Sequence, residues 1–461
     1  MKQSDLRIER MNSMEKQESN KAFLRAYPFA YGGGMMLISA TVATYFSIFM
    51  TDTFGIPAAA ASVIMFIATL WDAINDPMMG MIADRTHNRF GRYRSYYLWV
   101  PAVLTFAAFM VFLAPKGLST PQKIAYITFF YILYGMSYTA LTMPTVAAVP
   151  ANTKNDAERN KVITFGVGLM SLSFSIVSTF TTKFTALTNG SYAPWILLYG
   201  AIMIATFLIL FKTSKERYLL PVEKRSVKED LKRIFKHKEI LPVILVWCLT
   251  SLGYGLMFGS SVYYIMYYVE RPDLIATYMG IISVGGLISS FLVPPIAIKI
   301  FKSGYRAFQW TQGFTCVAYI ILFFFGKNVS ILFPVSFIAT LFATSSQAFV
   351  GMLINDTIDY IQLKEGVSLN GTIAAIKGFA EKCGSTLNSS GVLAMLAVTG
   401  YVAGAVGGQP ESALMGIRTL RFGIPTITGI IIIICLMFYP VAKHYGEIKK
   451  MKDEMKANEN A

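Results

Sequence analysis

Asp72 and Asp76 stand four residues apart in LWDAINDPMMGMIADR, an otherwise apolar stretch. That spacing puts both carboxylates on one face of a helix, with Asn75 beside them. Two carboxylates one turn apart repel each other, so either one is protonated or a cation sits between them. Pro77 supplies no amide to the Ala73 carbonyl, which leaves a further oxygen near the pair. Such an oxygen-rich surrounding suits a hard cation such as Na⁺. The competing arrangement is an acidic pair neutralised by a lysine from another helix, with no ion. Lysines for it lie in GTIAAIKGFAEKCGSTLNSSG. Lys377 and Glu381 form an i,i+4 pair able to neutralise itself. Lys382 points about 100° away from Glu381, free to meet Asp72 or Asp76 or to snorkel toward headgroups. Asp84, two turns beyond Asp76, stands beside Arg85 at the end of the stretch and reads as a gate residue rather than a ligand.

No enzymatic chemistry competes. His87, His237 and His444 all fall in segments read as cytoplasmic, so neither a metalloprotease nor a histidine proton relay is available within the spans. Cys248, Cys316, Cys383 and Cys435 sit in separate apolar spans, with a spacing that suits neither disulfides nor zinc. There is no Walker loop, so energy comes from an ion gradient or from the substrate. The chain is expected to use no cofactor beyond a coupling ion, Na⁺ or alternatively H⁺ or Li⁺.

The elements that position these residues are membrane helices. Of 461 residues 54% are hydrophobic and 15% charged, against roughly a quarter charged in soluble domains. Mean hydropathy is +0.50. Apolar stretches of about 20 residues recur, each long enough to cross a hydrocarbon core of about 30 Å. They predict twelve spans, at residues 28–51, 57–84, 95–115, 123–149, 161–182, 193–212, 240–268, 273–297, 307–326, 329–353, 371–403 and 419–443. Alternate loops are basic: Arg85, Arg89, Arg92 and Arg94 after the second span, Lys154, Arg159 and Lys161 after the fourth, and Lys299, Lys302 and Arg306 after the eighth. The positive-inside rule then places these loops and both termini in the cytoplasm of a cell whose plasma (inner) membrane holds the chain. Only the Arg418/Arg421 pair before the last span runs against the trend. The net charge of +15 is spread over these loops, which excludes a nucleic-acid patch.

The division expected is a cytoplasmic tail at 1–25, a six-helix bundle at 26–213, a cytoplasmic loop at 214–239, a second bundle at 240–444 and a tail at 445–461. Ser226 and Glu229 fit a capping box opening a short basic helix in the middle loop. RTHNRFGRYRSYYL after the second span and KIFKSGYRAFQW after the eighth share basic residues, a Gly, an aromatic and an Arg. Two related six-helix halves would leave such a trace.

WDAINDPMMGMIADRTHNRFGRYRSYYL resembles the signature of the glycoside–pentoside–hexuronide:cation symporters, a branch of the major facilitator superfamily. AVPANTKNDAERN, NDTIDYIQLKEG and EKCGSTLNSSGVLAMLAVTGY resemble further segments of that family, in the right order along nearly the whole chain. The resemblance implies the twelve-helix major facilitator fold and cation-coupled import of a sugar or glycoside by alternating access, with the chain working as a monomer. It implies a sodium site at Asp72, Asn75, Asp76 and Thr139, with Lys382 as nearby charge partner. Asp84, Arg85, Arg92, Arg94, Arg159, Asp356 and Asp359 fall at cytoplasmic gate positions. The sugar-binding carboxylates of melibiose-type relatives align with Met36 and Thr142, and their arginine with Val167. Galactoside recognition by that pair is therefore not expected, and Met36, Thr142, Val167, Tyr138 and Lys377 become cavity candidates. A proton-coupled symporter, a lipid transporter on the same scaffold and a non-translocating receptor are the rival readings.

Overall fold

The computed structural model describes residues 20–86, 88–153, 156–216, 240–365 and 370–444. Among them run twelve long helical segments. In chain order these are α1 (Lys21–Thr53), α2 (Ala58–Arg85), α3 (Tyr96–Phe112), α4 (Thr120–Asn152), α5 (Asp156–Leu187), α6 (Ala193–Thr213), α7 (Leu241–Tyr268), α8 (Pro272–Phe301), α9 (Gly304–Phe325), α10 (Val329–Glu365), α11 (Asn370–Val398) and α12 (Glu411–Met437). Ten are long and apolar enough to cross a membrane; α3 is apolar but shorter. The remaining one, α11, carries the polar and charged run around Lys382.

Helix starts follow local chemistry. Ser119 and Gln122 form a capping box that opens α4, and the Asn20 side chain caps α1 by accepting from the Phe23 amide at 3.2 Å. The α1 start at Lys21 lies inside the stretch expected to be tail, because Asn20 also donates to Asn152 at 2.9 Å and to the Thr213 carbonyl at 2.7 Å. The capping box expected at Ser226 lies outside the described residues.

Packing repeats between the halves. In the first, α1 packs on α5 and α6, α2 on α4, and α3 on α4 and α6. In the second, α7 packs on α11 and α12, α8 on α10, and α9 on α10 and α12. The halves meet through α2 against α11 and α5 against α8, which exchange under the same two-fold. Close approach occurs at matching places. A Cβ on Gly32 of α1 would stand 2.3 Å from the Gly166 carbonyl oxygen of α5, and one on Gly384 of α11 would stand 2.5 Å from that of Cys248 of α7. Small residues thus let helices associate where lipid offers no hydrophobic drive.

Among the described residues four stretches wind as π-helix: Phe29–Met35 and Phe49–Thr53 in α1, Tyr264–Tyr268 in α7 and Thr419–Gly423 in α12. Such turns re-aim side chains and cluster at functional places. The one in α12 corrects the sequence reading of Arg418 and Arg421. Neither precedes the last span; both are inside a membrane-length helix that begins at Glu411, and Arg421 is wholly buried.

Candidate functional site

α2, α4 and α11 converge on the acidic pair. Lys382 Nζ lies 2.9 Å from Asp76 Oδ2 and 4.0 Å from Asp72 Oδ2. Thr139 of α4 donates to Asp76 Oδ1 at 2.8 Å. The two carboxylates therefore face one ammonium together, rather than turning to separate bases. The lysine that the sequence offered as a partner thus stands beside the pair. The Asp72 and Asp76 side chains remain 29% and 20% exposed, which leaves a small ion a route to them.

Charge counting shows what the lysine leaves undone. Two carboxylates and one ammonium sum to one negative charge, and an unbalanced charge inside a bilayer costs several kcal/mol. Asp72 is the less satisfied partner, at 4.0 Å from Nζ against 2.9 Å for Asp76. One added monovalent cation, or one proton, closes the sum. Asn75 is buried and its amide nitrogen has no hydrogen-bond partner. A half-turn of that amide exchanges it for the carbonyl oxygen, the atom a cation would use. Among the described residues no group of three or more His, Cys, Asp or Glu gathers as for a divalent metal.

Gly135 is the site residue that sequence reasoning missed. It lies one turn before Thr139 on α4, and a Cβ there would stand 2.7 Å from Asp72 Oδ1. Only a residue without a side chain lets Asp72 come this close to α4. The signal was present in YGMSYT, where the Gly precedes Thr139 by four. Gly135→Ala is expected to lower cation-driven uptake about tenfold, because displacements near 1 Å at a reacting centre cost up to about a hundredfold. The melting temperature should stay near wild type. Wild-type uptake by this variant would show that Asp72 does not need the approach.

The expected cavity residues are placed as follows. Tyr138 is half-buried on the face of α4 that also carries Tyr134, with ring centroids 6.1 Å apart. The Thr142 hydroxyl donates back to the Tyr138 carbonyl at 2.8 Å, and Met36 packs against the first-half core. Val167 is 52% exposed. Glu381, read as a partner of Lys377, is exposed. The side chains of Lys377, Asp84 and Asp359 lie outside the described residues.

The arginines expected at a cytoplasmic gate bond within the first half in this conformation. Backbone amides of Arg92 and Arg94 donate to the Glu216 carboxylate at 2.7 and 2.5 Å. Arg94 Nε donates to the Phe211 carbonyl and Arg159 Nε to that of Thr153. These bonds tie the α2–α3 loop and the start of α5 to neighbouring first-half segments. Arg85 and Asp356 have interactions of their own.

At the opposite end of the bundle a second carboxylate joins the halves. Asp52, in the last π-turn of α1, accepts from Tyr401 at 2.6 Å and from Tyr267 in the last π-turn of α7. Thr51 and Tyr263 hydroxyls meet at 3.1 Å, and the Gly404 amide donates to the Tyr267 oxygen at 3.1 Å. Burial and the Asp52 charge push the Tyr401 phenol well above its usual range, so it stays a donor. Further contacts between halves, Ser62 to the Ser390 carbonyl at 2.8 Å and Ser178 to Ser283 at 2.7 Å, lie between this seal and the acidic pair along the helices.

Two repeated helix bundles, meeting around an acidic pair and sealed at one end, define a multi-pass membrane transporter rather than an enzyme. The comparisons give the family. Residues 29–443 match the family described as MFS/sugar transport protein, and the chain belongs to it. Within it the relatives are symporters of the glycoside–pentoside–hexuronide type. The chain is 29% identical to the uncharacterized symporter YnaJ of Bacillus subtilis (strain 168), covering 92% of each chain. It is 28% identical to the isoprimeverose transporter of Lactiplantibacillus pentosus, covering 91% of this chain and 89% of that one. Among solved structures, a bacterial homolog of the human lysosomal transporter Spinster, in an inward-facing and occupied conformation, superposes with a TM-score of 0.61 at 14% identity, over 92% of this chain and 97% of that one. That likeness speaks to the fold. The protein is thus a sugar transporter of the major facilitator type.

Proposed function

We propose that the protein imports a sugar or glycoside by symport with one Na⁺, bound by Asp72, Asp76, Thr139 and Asn75 beside Lys382. The observation that carries this reading is the residual negative charge of the Asp72–Asp76–Lys382 cluster. It asks for one monovalent cation, and Thr139 supplies a neutral oxygen for it. The chain sits in the plasma membrane with both termini in the cytoplasm, which makes the Asp52 seal extracellular and this conformation inward-facing. One Na⁺ cancels the single negative charge that Asp72, Asp76 and Lys382 leave between them, and Lys382 stays beside the pair. Binding is reciprocal: if Na⁺ tightens sugar, sugar tightens Na⁺ by the same factor.

The cavity wall lacks the carboxylates of melibiose-type relatives at Met36 and Thr142, so the substrate is read as a glycoside other than a galactoside. The isoprimeverose carried by one relative makes xylose-containing disaccharides the first panel to try. Thermal-shift screening of neutral and acidic glycosides, with and without Na⁺, tests the reading: a sugar whose stabilisation grows with Na⁺ supports it, and Na⁺-independent stabilisation by every binder contradicts it. Thr139→Ala separates the ions. It removes an oxygen that Na⁺ needs and a proton does not, so Na⁺ affinity should fall about tenfold, the worth of one hydrogen bond to a charged group. Proton-coupled uptake in the same variant should be unchanged; equal loss of both would contradict the assignment.

A further inference from the structure

Arg418 and Arg421 have no part in the transport site, yet they carry two positive charges into the second bundle. Arg421 is 1% exposed. Its Nη2 donates to the Tyr278 hydroxyl of α8 at 2.7 Å, the Tyr319 phenol of α9 also faces its guanidinium, and that group lies 4.5 Å from the Phe422 ring. Arg418 Nη1 lies 3.4 Å from the Tyr268 hydroxyl of α7, whose ring stacks on Tyr264 at 5.0 Å. Tyr264 in turn packs edge-on against Phe422 at 5.1 Å, which closes the cluster. Among the described residues neither arginine has a carboxylate partner.

The unmet hydrogen-bonding groups concentrate here. Arg421 Nε, Arg421 Nη1, Arg418 Nε and the Tyr264 hydroxyl are buried without a partner, and they make up four of the twelve such atoms among the described residues. The three guanidinium atoms are donors only, and the phenol has a proton to give. A complement to them must accept hydrogen bonds. Because two guanidinium groups border this aromatic cluster and neither has a carboxylate partner among the described residues, a negative charge complements it. Water meets the first requirement and fails the second. The enclosure by aromatic rings restricts the occupant to something compact.

We propose that α7, α8, α9 and α12 hold a small inorganic anion of the chloride class between Arg421, Arg418 and the Tyr264 hydroxyl. The π-turn Thr419–Gly423 turns Arg421 inward to receive it. The anion fixes the extracellular third of the second bundle and explains why basic residues occur on that side of the membrane at all.

The test is thermal unfolding of the purified full-length protein at constant Na⁺, with chloride, bromide or gluconate as the anion. Chloride and bromide should raise the midpoint by about 2 °C over gluconate, saturably, as expected for a ligand bound only to the folded state. Arg421→Gln should abolish the difference. Should that variant not fold, Tyr264→Phe keeps the ring and removes one donor, and the half-saturating chloride concentration should rise about fivefold. Identical melting of the wild type in chloride and gluconate would overturn the proposal and leave water as occupant. A chloride effect that persists in Arg421→Gln, or whose half-saturation is unmoved in Tyr264→Phe, would overturn it as well.

Discussion

Asp76→Asn is expected to abolish concentrative uptake, lowering accumulation driven by an imposed cation gradient by about a hundredfold or more, while downhill exchange of sugar persists. Asparagine keeps the shape of the side chain, and Thr139 still has an oxygen to donate to. What is lost is one negative charge. The Asp72 carboxylate and the Lys382 ammonium, beside a neutral amide in place of the second acid, then sum to zero without any ion, so the gradient has nothing to act on. The loss of a charged partner at 2.9 Å from Lys382 is worth roughly 2–3 kcal/mol, about a hundredfold in an equilibrium. Counterflow and gradient-driven uptake in proteoliposomes separate the two activities. Gradient-driven uptake at the wild-type level would remove Asp76 from the coupling site.

Asp52→Asn should shift the protein toward the state open at the Asp52 end. The carboxylate accepts from Thr51 at 2.6 Å, from Tyr401 at 2.6 Å and from Tyr267. Two of these donors belong to the other half, and both are broken when that end opens. Charge-assisted bonds of this kind contribute roughly 1.5–3 kcal/mol each, so losing the charge moves the conformational equilibrium by about tenfold or more. Spin labels at Lys116 and Lys327, exposed on loops of the two halves at that end, report the change by dipolar distance measurement in a background free of native cysteines. A longer component should appear in the variant. An unaltered distance distribution would mean that the seal rests on the surrounding aromatic packing instead.

Much of this architecture was legible in the chain because lipid imposes a strict rule on backbone polar groups. Apolar length located the spans, and loop arginines separated their ends. The acidic pair was legible for the same reason: carboxylates at Asp72 and Asp76 in an apolar run have few explanations. The conformation of Lys382 was not, since the sequence permitted a self-neutralised Lys377–Glu381 pair, a snorkelling lysine or a bridge to the acids. Only the packing of α11 on α2 places its ammonium. The Asp52 seal escaped notice because Asp52 ends a span, where a carboxylate usually meets water. Its partners Tyr267 and Tyr401 lie 215 and 349 residues away. The Arg418/Arg421 pair was read as preceding the last span because charge alone marks a helix end. The π-turn that carries Arg421 inward leaves no periodic signature over five residues.

The gate residues show a further limit. Arg94 and Arg159 match positions where a family resemblance implies a gate, yet in this conformation each bonds to a carbonyl of its own half. A residue that works in one state of a rocking transporter has a different partner in the other. Sequence records the residue and not the state.

The most direct measurement is equilibrium binding of radioactive sodium to the purified wild type and to Asp76→Asn. One Na⁺ should bind per wild-type chain, tightened by the transported glycoside, with no saturable binding in the variant. Sodium binding of equal stoichiometry and affinity in both proteins would contradict a coupling site built on the acidic pair.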